Sequence, residues 1–426
     1  MKKRRVVVTG LGVVAPNAVN VPAFLQALRE GTPGLRYIPE FEQLKYLCQV
    51  TGRPEFDWNA LQDVIPEVTF HGLRGMGIGY GLRAAVEAWT DAGLPLETEQ
   101  PRWETGCVFG NSTMDSAIMG TVMQRVDTLE VKKLGSRIVE QTMNSGVTAY
   151  ITGRLGLAGK VLTNSAACAT GSQAVLMGYE YIAHGLADRM LTGSSEYVDT
   201  YIFGAFDAMR VLARKFNQEP HRASRPMSRT AGGFVPGSGA GALILEDLDT
   251  ARARGAHIYA EVLGGASNSG GQRGGGSMTS PNPEGVVRCI TDALGNTGTD
   301  PASIDLISGH LTATGGDLTE IQNWILALGR KEANFPWINS VKSMIGHCLS
   351  AAGSIESVAA VLQILHQFVH PNINLEDPNP EIVKRIDPDR IPLTSLSAGI
   401  NTVIKANFGF GDVNTCLIFT KWKEHG

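Results

Sequence analysis

Several familiar signatures are missing from this 426-residue chain, and each absence removes a class of function. Its six cysteines (Cys48, Cys107, Cys168, Cys289, Cys348 and Cys416) stand far apart without a CxxC pair. Zinc fingers and thioredoxin-type redox sites are thereby excluded, and no metal site is expected. A chain of this length needs no disulfide framework, so free thiols and a reducing, cytoplasmic setting are expected. No GxxxxGK[ST] occurs, and no GxGxxG opens a helix after a strand, so the phosphate-cradling loops of nucleotide enzymes are absent. Charge excess is missing too: a net −4 provides no field for nucleic acid. The start, MKKRRVVVTG, is basic but has too short an apolar run to read as a signal peptide. The most apolar long segment, 349–369, contains Ser350, Ser354, Glu356 and Gln363, and reads as a buried core helix rather than a membrane span.

What is present describes a large α/β protein. Hydrophobic residues make up 43% and charged residues 18%, enough for two packed halves around a sizeable core. Short β-branched runs alternate with amphipathic stretches. Strands are expected at 6–9 (closed by a turn at Gly10), 107–110, 189–193, 242–246, 256–263, 304–307, 337–341, 404–408 and 415–419. Helices are expected at 79–92, 284–294, 317–328 and about 347–368, with a strand, turn and helix across 161–181. The 50 glycines sit in turns and helix starts, apart from GGASNSGGQRGGGSMTSP at 264–281, which reads as a flexible rim loop or a linker. VLTNSAACATGSQAVLMG has the outline of INSVKSMIGHCLSAAGSIESVAAVL, and PGSGAGALILE that of GFGDVNTCLIF. This internal duplication divides the chain into 1–255 and 256–426.

Four segments carry candidate chemistry. In NSAACATGSQA, Cys168 opens a helix among small residues. Unpaired N–H groups there can stabilise a thiolate or an oxyanion, although a small buried core cysteine is the commoner occupant of such a place. His310 ends a strand, and His347 stands just before the Ala-rich helix of the second half, five residues after Lys342. With Cys168 they occupy three strand exits, where sites in α/β sheets form. In NFGFGD (407–412) the glycines between Phe408 and Phe410 allow either a hinged flap or a twisted strand end.

Taken together in order, ACATG around Cys168, HLTAT from His310, KSMIGH from Lys342 to His347 and NFGFGD resemble the elongating β-ketoacyl-acyl carrier protein synthases of the thiolase superfamily. VVVTGLGVVAP, ASRPMSRTAGGFVPGSGAGALILED, ARARGAHIYAEVLG, MTSP and HPNINLEDPNP extend the likeness over nearly the whole chain. The resemblance implies a thiolase-like fold of two duplicated α/β halves in αβαβα layers. It implies an acyltransferase that performs decarboxylative Claisen condensation of a Cys-bound acyl chain with malonyl-carrier protein, in fatty acid elongation or a polyketide or aryl-polyene pathway. Cys168 would be the nucleophile, His310 and His347 would assist decarboxylation, and Lys342 would support the site, paired with Glu320. Cys168 and Phe410 amides would form the oxyanion hole, with Phe410 and Phe408 at the gate. Thr312, Thr314 and Thr279 would line the phosphopantetheine channel, and Phe206 and Thr113 the acyl pocket. Lys132, Lys133, Arg137 and Arg74 would dock an acidic acyl carrier protein, with a further basic cluster at Arg210, Arg214 and Lys215. No cofactor beyond carrier-bound phosphopantetheine is implied, nor nucleic acid or membrane. The partner would be a second copy or a ketosynthase-like subunit, and a chain-length-factor-like role without condensation is the alternative reading. Three departures stand out: HLTATGGD with Leu311 for glycine, Asp412 for the second glycine of FGFGG, and Gly237-Ser238-Gly239 without an acidic residue.

Overall fold

The computed structural model describes residues 3–113 and 115–424, so Met1 and Lys2 of the basic start lie outside the described residues. Ten strands form one sheet: β1 Val6–Val14, β2 Thr105–Gly110, β3 Val161–Leu162, β4 Arg189–Glu196, β5 Gly239–Asp247, β6 Ala260–Ser269, β7 Leu306–Ser308, β8 Trp337–Asn339, β9 Thr402–Gly409 and β10 Val413–Thr420. Their spatial order is β3-β2-β4-β5-β1-β6-β10-β9-β7-β8. The first five strands thus follow the order 3-2-4-5-1, and the last five repeat it in mirror sequence. Directions repeat as well. β3-β2-β4 and β8-β7-β9 are parallel. The pairs completing each half are antiparallel. The halves meet where β1 runs antiparallel to β6, with Val6 opposite Val262.

Five helices place this sheet in layers: α1 Met76–Asp91, α2 Thr170–Ala183, α3 Pro283–Thr297, α4 Gly316–Leu328 and α5 Ala352–His366. α1 covers the outer face of the first half, and α3 with α4 that of the second. α2 and α5 fill the space between the halves and form the central core with Val6, Val8, Leu243, Val262 and Phe419. This is the thiolase-like αβαβα arrangement. The apolar segment Leu349–His366 is 89% buried there, as a core helix.

Two sequence expectations are corrected by packing. β1 does not turn at Gly10 but continues to Val14. A β-carbon at Gly10 or Gly12 would overlap the carbonyl oxygens of Ala88 and Ala84, so these glycines let α1 lie directly on the strand. The glycine-rich loop begins late, because residues 264–269 belong to β6 and pair with β10.

The inner helices touch backbone to backbone. A β-carbon at Gly171 would strike the Ser354 amide, and one at Gly353 the Ser172 amide. The residues before the two helix starts, Ala167 and Leu349, both have φ 46°. Cys168 and Ser350 each follow one of them, three residues ahead of the touching glycine. The counterpart of Cys168 in the second half is therefore Ser350, not His347 as the motif outline suggested.

Candidate active site

Cys168 sits at the start of α2, in a turn pinned by Thr170. The Thr170 hydroxyl accepts from the Ala166 N–H at 2.8 Å and donates to the Ala167 carbonyl at 2.7 Å. The Asn164 amide donates to the Thr170 carbonyl at 2.9 Å. Gly409, at the end of β9, lies against this turn, where a β-carbon would come within 2.8 Å of the Ala166 carbonyl oxygen. That contact brings the Phe410 amide to the sulfur, where it joins the amide of Cys168 itself. Burial nevertheless dominates and pushes the thiol up to about 11, against the lowering effect of Lys342 and the two amides. A thiolate is not the resting form: at neutral pH this is a thiol whose surroundings favour charge only as it forms.

His310 follows β7. The Glu320 carboxylate on α4 accepts from the His310 and Leu311 N–H groups, both at 2.7 Å, and from the Trp324 indole at 3.2 Å. Glu320 therefore shapes the backbone at the histidine. The proposed Lys342–Glu320 pair is not formed; Lys342 is joined to Glu356 of α5 instead. His347 follows the short helix Lys342–Ile345. Its backbone N–H donates to the Val235 carbonyl at 2.7 Å, and its Nδ1 accepts from the Leu349 N–H at 3.2 Å. With Nδ1 accepting, a neutral His347 carries its proton on Nε2. The imidazole rings of His310 and His347 lie 5.2 Å apart at 84°. Each of the two offers a nitrogen, and with the Cys168 sulfur these atoms all lie within 4.8 Å of one another.

Electrostatics keep both rings neutral. Burial, then the charge of Lys342, lowers His347 to about 3. Burial lowers His310 well below its usual range, helped by Lys342, His347 and Lys405. Burial works against ionisation of Glu356 too, yet Lys342 and Lys405 hold its carboxyl below the usual value. Burial raises Glu320 to about 7 and Asp317 to about 6. The site is thus a thiol facing two neutral imidazoles, backed by two buried ammonium groups sharing one carboxylate.

The thiol and the two imidazoles open into a cavity of about 330 Å³. Thr113, Phe206, Thr279, Thr312, Thr314, Phe408 and Phe410 lie on its wall. Phe206 and Phe410 stand edge to face at 6.3 Å, and Phe408 is 5.8 Å from His310. The basic residues lie away from it. Lys133 pairs with Glu130, Arg137 lies 3.5 Å from Glu140, and Arg74 donates to the His71 and Leu73 carbonyls at 2.9 and 2.7 Å. Lys132 is exposed.

The departures also find physical reasons. Leu311 is fully buried in the outer core of the second half. Ser238 accepts from the Val198 N–H at 3.0 Å. Asp412, at φ 62°, accepts from the Gln272 and Asn282 N–H groups, both at 2.8 Å. The rim loop is thereby tied to the loop bearing Phe410.

Sequence reasoning missed Glu356, Lys405 and Asn407 as site residues. Two of them carried a signal: Glu356 is the one carboxylate in the most apolar segment, and Lys405 interrupts the apolar strand VIKANF.

A thiol at the helix start of a duplicated α/β fold, with two imidazoles beside it, defines a condensing acyltransferase of the thiolase fold. The family comparison is specific. Residues 3–251 match the beta-ketoacyl synthase N-terminal domain and residues 259–376 its C-terminal domain. The chain belongs to the β-ketoacyl synthase family. It is 34% identical to a putative polyketide beta-ketoacyl synthase 1 of Streptomyces cyaneus, over 98% of each chain. It is 32% identical to 3-oxoacyl-[acyl-carrier-protein] synthase 2 of Vibrio harveyi, over 100% of each. A type II polyketide ketosynthase solved with its acyl-carrier protein superimposes with a TM-score of 0.85 at 31% identity, covering 99% of this chain and 100% of that one.

Proposed function

We propose that this chain condenses a Cys168-bound acyl group with malonyl-acyl carrier protein, in fatty acid or polyketide synthesis. The observation that carries this assignment of roles is the cluster of the Cys168 sulfur and the two imidazoles within 4.8 Å on the wall of one cavity.

In the first half-reaction the Cys168 sulfur attacks the carrier thioester. The bond from carbonyl carbon to the carrier's sulfur breaks, the thiol proton passes to the departing carrier thiolate, and an acyl-Cys168 thioester remains. The Cys168 and Phe410 amides, which reach the sulfur, stabilise the carbonyl oxygen as it becomes negative. In the second half-reaction malonyl-carrier protein loses carbon dioxide. His310 and His347, both neutral, donate hydrogen bonds to the thioester oxygen of the resulting enolate. Its α-carbon attacks the acyl-Cys168 carbonyl, the carbon–sulfur bond to Cys168 breaks, and the sulfur takes a proton from solvent to restore the thiol. Lys342 acts through charge behind the imidazoles.

The remaining assignments follow this scheme. Phe410, with Phe408 behind it, gates the cavity between the two half-reactions. Thr312, Thr314 and Thr279 contact the phosphopantetheine arm, which enters with the substrate and makes a separate cofactor unnecessary. Phe206 and Thr113 bound the acyl group, and Glu320 holds the His310 backbone. Acidic carrier protein docks on Lys132, Lys133, Arg137 and Arg74. The chain divides into halves at 255/256, pairs with a copy of itself or a ketosynthase-like subunit, and works in the cytoplasm, where its six buried thiols stay free. The complete Cys–His–His set favours the condensing reading over a chain-length-factor-like role.

Intact-mass spectrometry after incubation with acyl-carrier protein tests the scheme. The expected product is one acyl group on Cys168, absent from Cys168→Ala. A wild-type protein that stays unmodified overturns it.

A further inference from the structure

Strand β9 sends Lys405 and Asn407 to the inner side of the sheet, directly behind His310. Both are completely buried. The Asn407 side-chain oxygen accepts from the Ser172 hydroxyl at 2.5 Å and from the Lys405 ammonium. Lys405 also reaches Ser172 at 2.8 Å and the Glu356 carboxylate at 3.0 Å. At its other end, the Asn407 NH2 donates to Glu356 at 2.8 Å and lies 3.3 Å from His310 Nδ1.

The direction of this chain of hydrogen bonds is determined by its ends. An ammonium only donates and a carboxylate only accepts. Reversing the amide would place its NH2 against Lys405 and its oxygen against Glu356, losing both contacts. The amide nitrogen therefore faces His310, and its second hydrogen points at Nδ1. A ring that accepts at Nδ1 carries its proton on Nε2 when neutral, toward the cavity. The charged and titratable groups around His310 are Lys342, Lys405, His347, Glu356, the Cys168 thiol on its cavity side, and Glu320 at its backbone.

We propose that Asn407, itself oriented by Lys405 and Glu356, is a positioning residue that fixes His310 in the Nε2–H tautomer. The role rests on the reading of His310 as a donor to the enolate, but the tautomer is a property of the resting protein and is tested without substrate. The arrangement parallels metal-ligating histidines, where the outer partner of one ring nitrogen sets the chemistry of the other.

The test is 15N NMR of the full chain labelled at histidine, with His310 identified by the signals lost in His310→Gln. At pH 7.5 wild-type His310 is expected to show a protonated Nε2 and a bare Nδ1. Asn407→Asp places an acceptor against Nδ1 and should move the proton there or give the doubly protonated ring. The same variant should slow malonyl-carrier decarboxylation by about a hundredfold, the effect of losing one preorganised donor, and far more than it slows acyl transfer to Cys168. A wild-type ring protonated on Nδ1 overturns the proposal. So does an Asn407→Asp protein that keeps Nε2–H, or one that loses both half-reactions equally. Should Asn407→Asp fail to fold, the wild-type spectrum alone decides. A chain that never acylates Cys168 would overturn the functional reading and leave the tautomer result standing.

Discussion

Removing one oxygen charge from the buried cluster behind the histidines should have a large and pH-dependent cost. Glu356 is 1% exposed, and its two cationic partners, Lys342 and Lys405, are 1% and 0% exposed. At the 3.0 Å separation of Glu356 from Lys405, and an effective dielectric constant of about 20, the attraction is about 5 kcal/mol before desolvation is subtracted. Glu356→Gln keeps the shape and leaves two buried ammonium groups without a counterion. Breaking a buried pair by removing one partner costs about 3–5 kcal/mol, a large share of the 5–15 kcal/mol typical of a folded protein. The pH dependence has a definite sign. In the wild type burial lowers Lys405 and Glu356 opposes that shift. Without Glu356 the folded state sheds the Lys405 proton more readily, while the unfolded chain keeps it until about pH 10.4. The unfolded state then binds more protons, so stability rises with pH, by up to about 1.4 kcal/mol per unit for one proton. Urea unfolding of both proteins at pH 7, 8 and 9 measures this. The variant should be weakest at pH 7, and its deficit should shrink toward pH 9. A deficit below about 1 kcal/mol at every pH would refute the reasoning, because the carboxylate would then be dispensable to the lysines.

Two further expectations test other parts of the structure. With the Cys168 thiol near 11, its alkylation by iodoacetamide should accelerate about tenfold per pH unit between pH 7 and 9, followed by peptide mass spectrometry with Cys168→Ala as control; a rate that levels off below pH 8 would show a thiolate already formed. Gly353→Ala should lower stability by about 1–3 kcal/mol or more in urea, since the added carbon meets the backbone of Ser172 and Gly171, which no side-chain rotation relieves, and a variant as stable as the wild type would mean that the inner helices separate freely.

The parts of this protein that could be read from its sequence are those encoded within a few neighbouring residues. ACATG, HLTAT, KSMIGH and NFGFGD each contain a strand exit and its side chain, so Cys168, His310, His347 and Phe410 could be named before their proximity was known. Contacts across the core were not legible. Lys342 could have paired with any buried carboxylate, Glu320 included. Only the packing of α5 brings Glu356 to the lysine and leaves Glu320 capping backbone amides. Gly10 was ambiguous because a glycine that turns the chain and one that makes room for a helix look alike. β9 shows the same limit. Ile404, Ala406 and Phe408 face the outer core, whereas Val403 faces the central one. The alternation that makes VIKANF a strand also sends Lys405 and Asn407 inward, but period alone does not say which side holds the histidines.

The duplicated fold contains its own control experiment. Ser350 occupies in the second half the place that Cys168 occupies in the first, after the same left-handed residue and before the same helix contact. Its hydroxyl lies 2.8 Å from the Ser195 carbonyl and 2.6 Å from the Glu196 carboxylate, and the residue is completely enclosed. Cys168 has the same backbone but retains 9% of its surface on a cavity wall. One helix start has become masonry and the other a doorway. Whoever reshapes this protein for new substrates therefore has a template for how the doorway looks when it is bricked up.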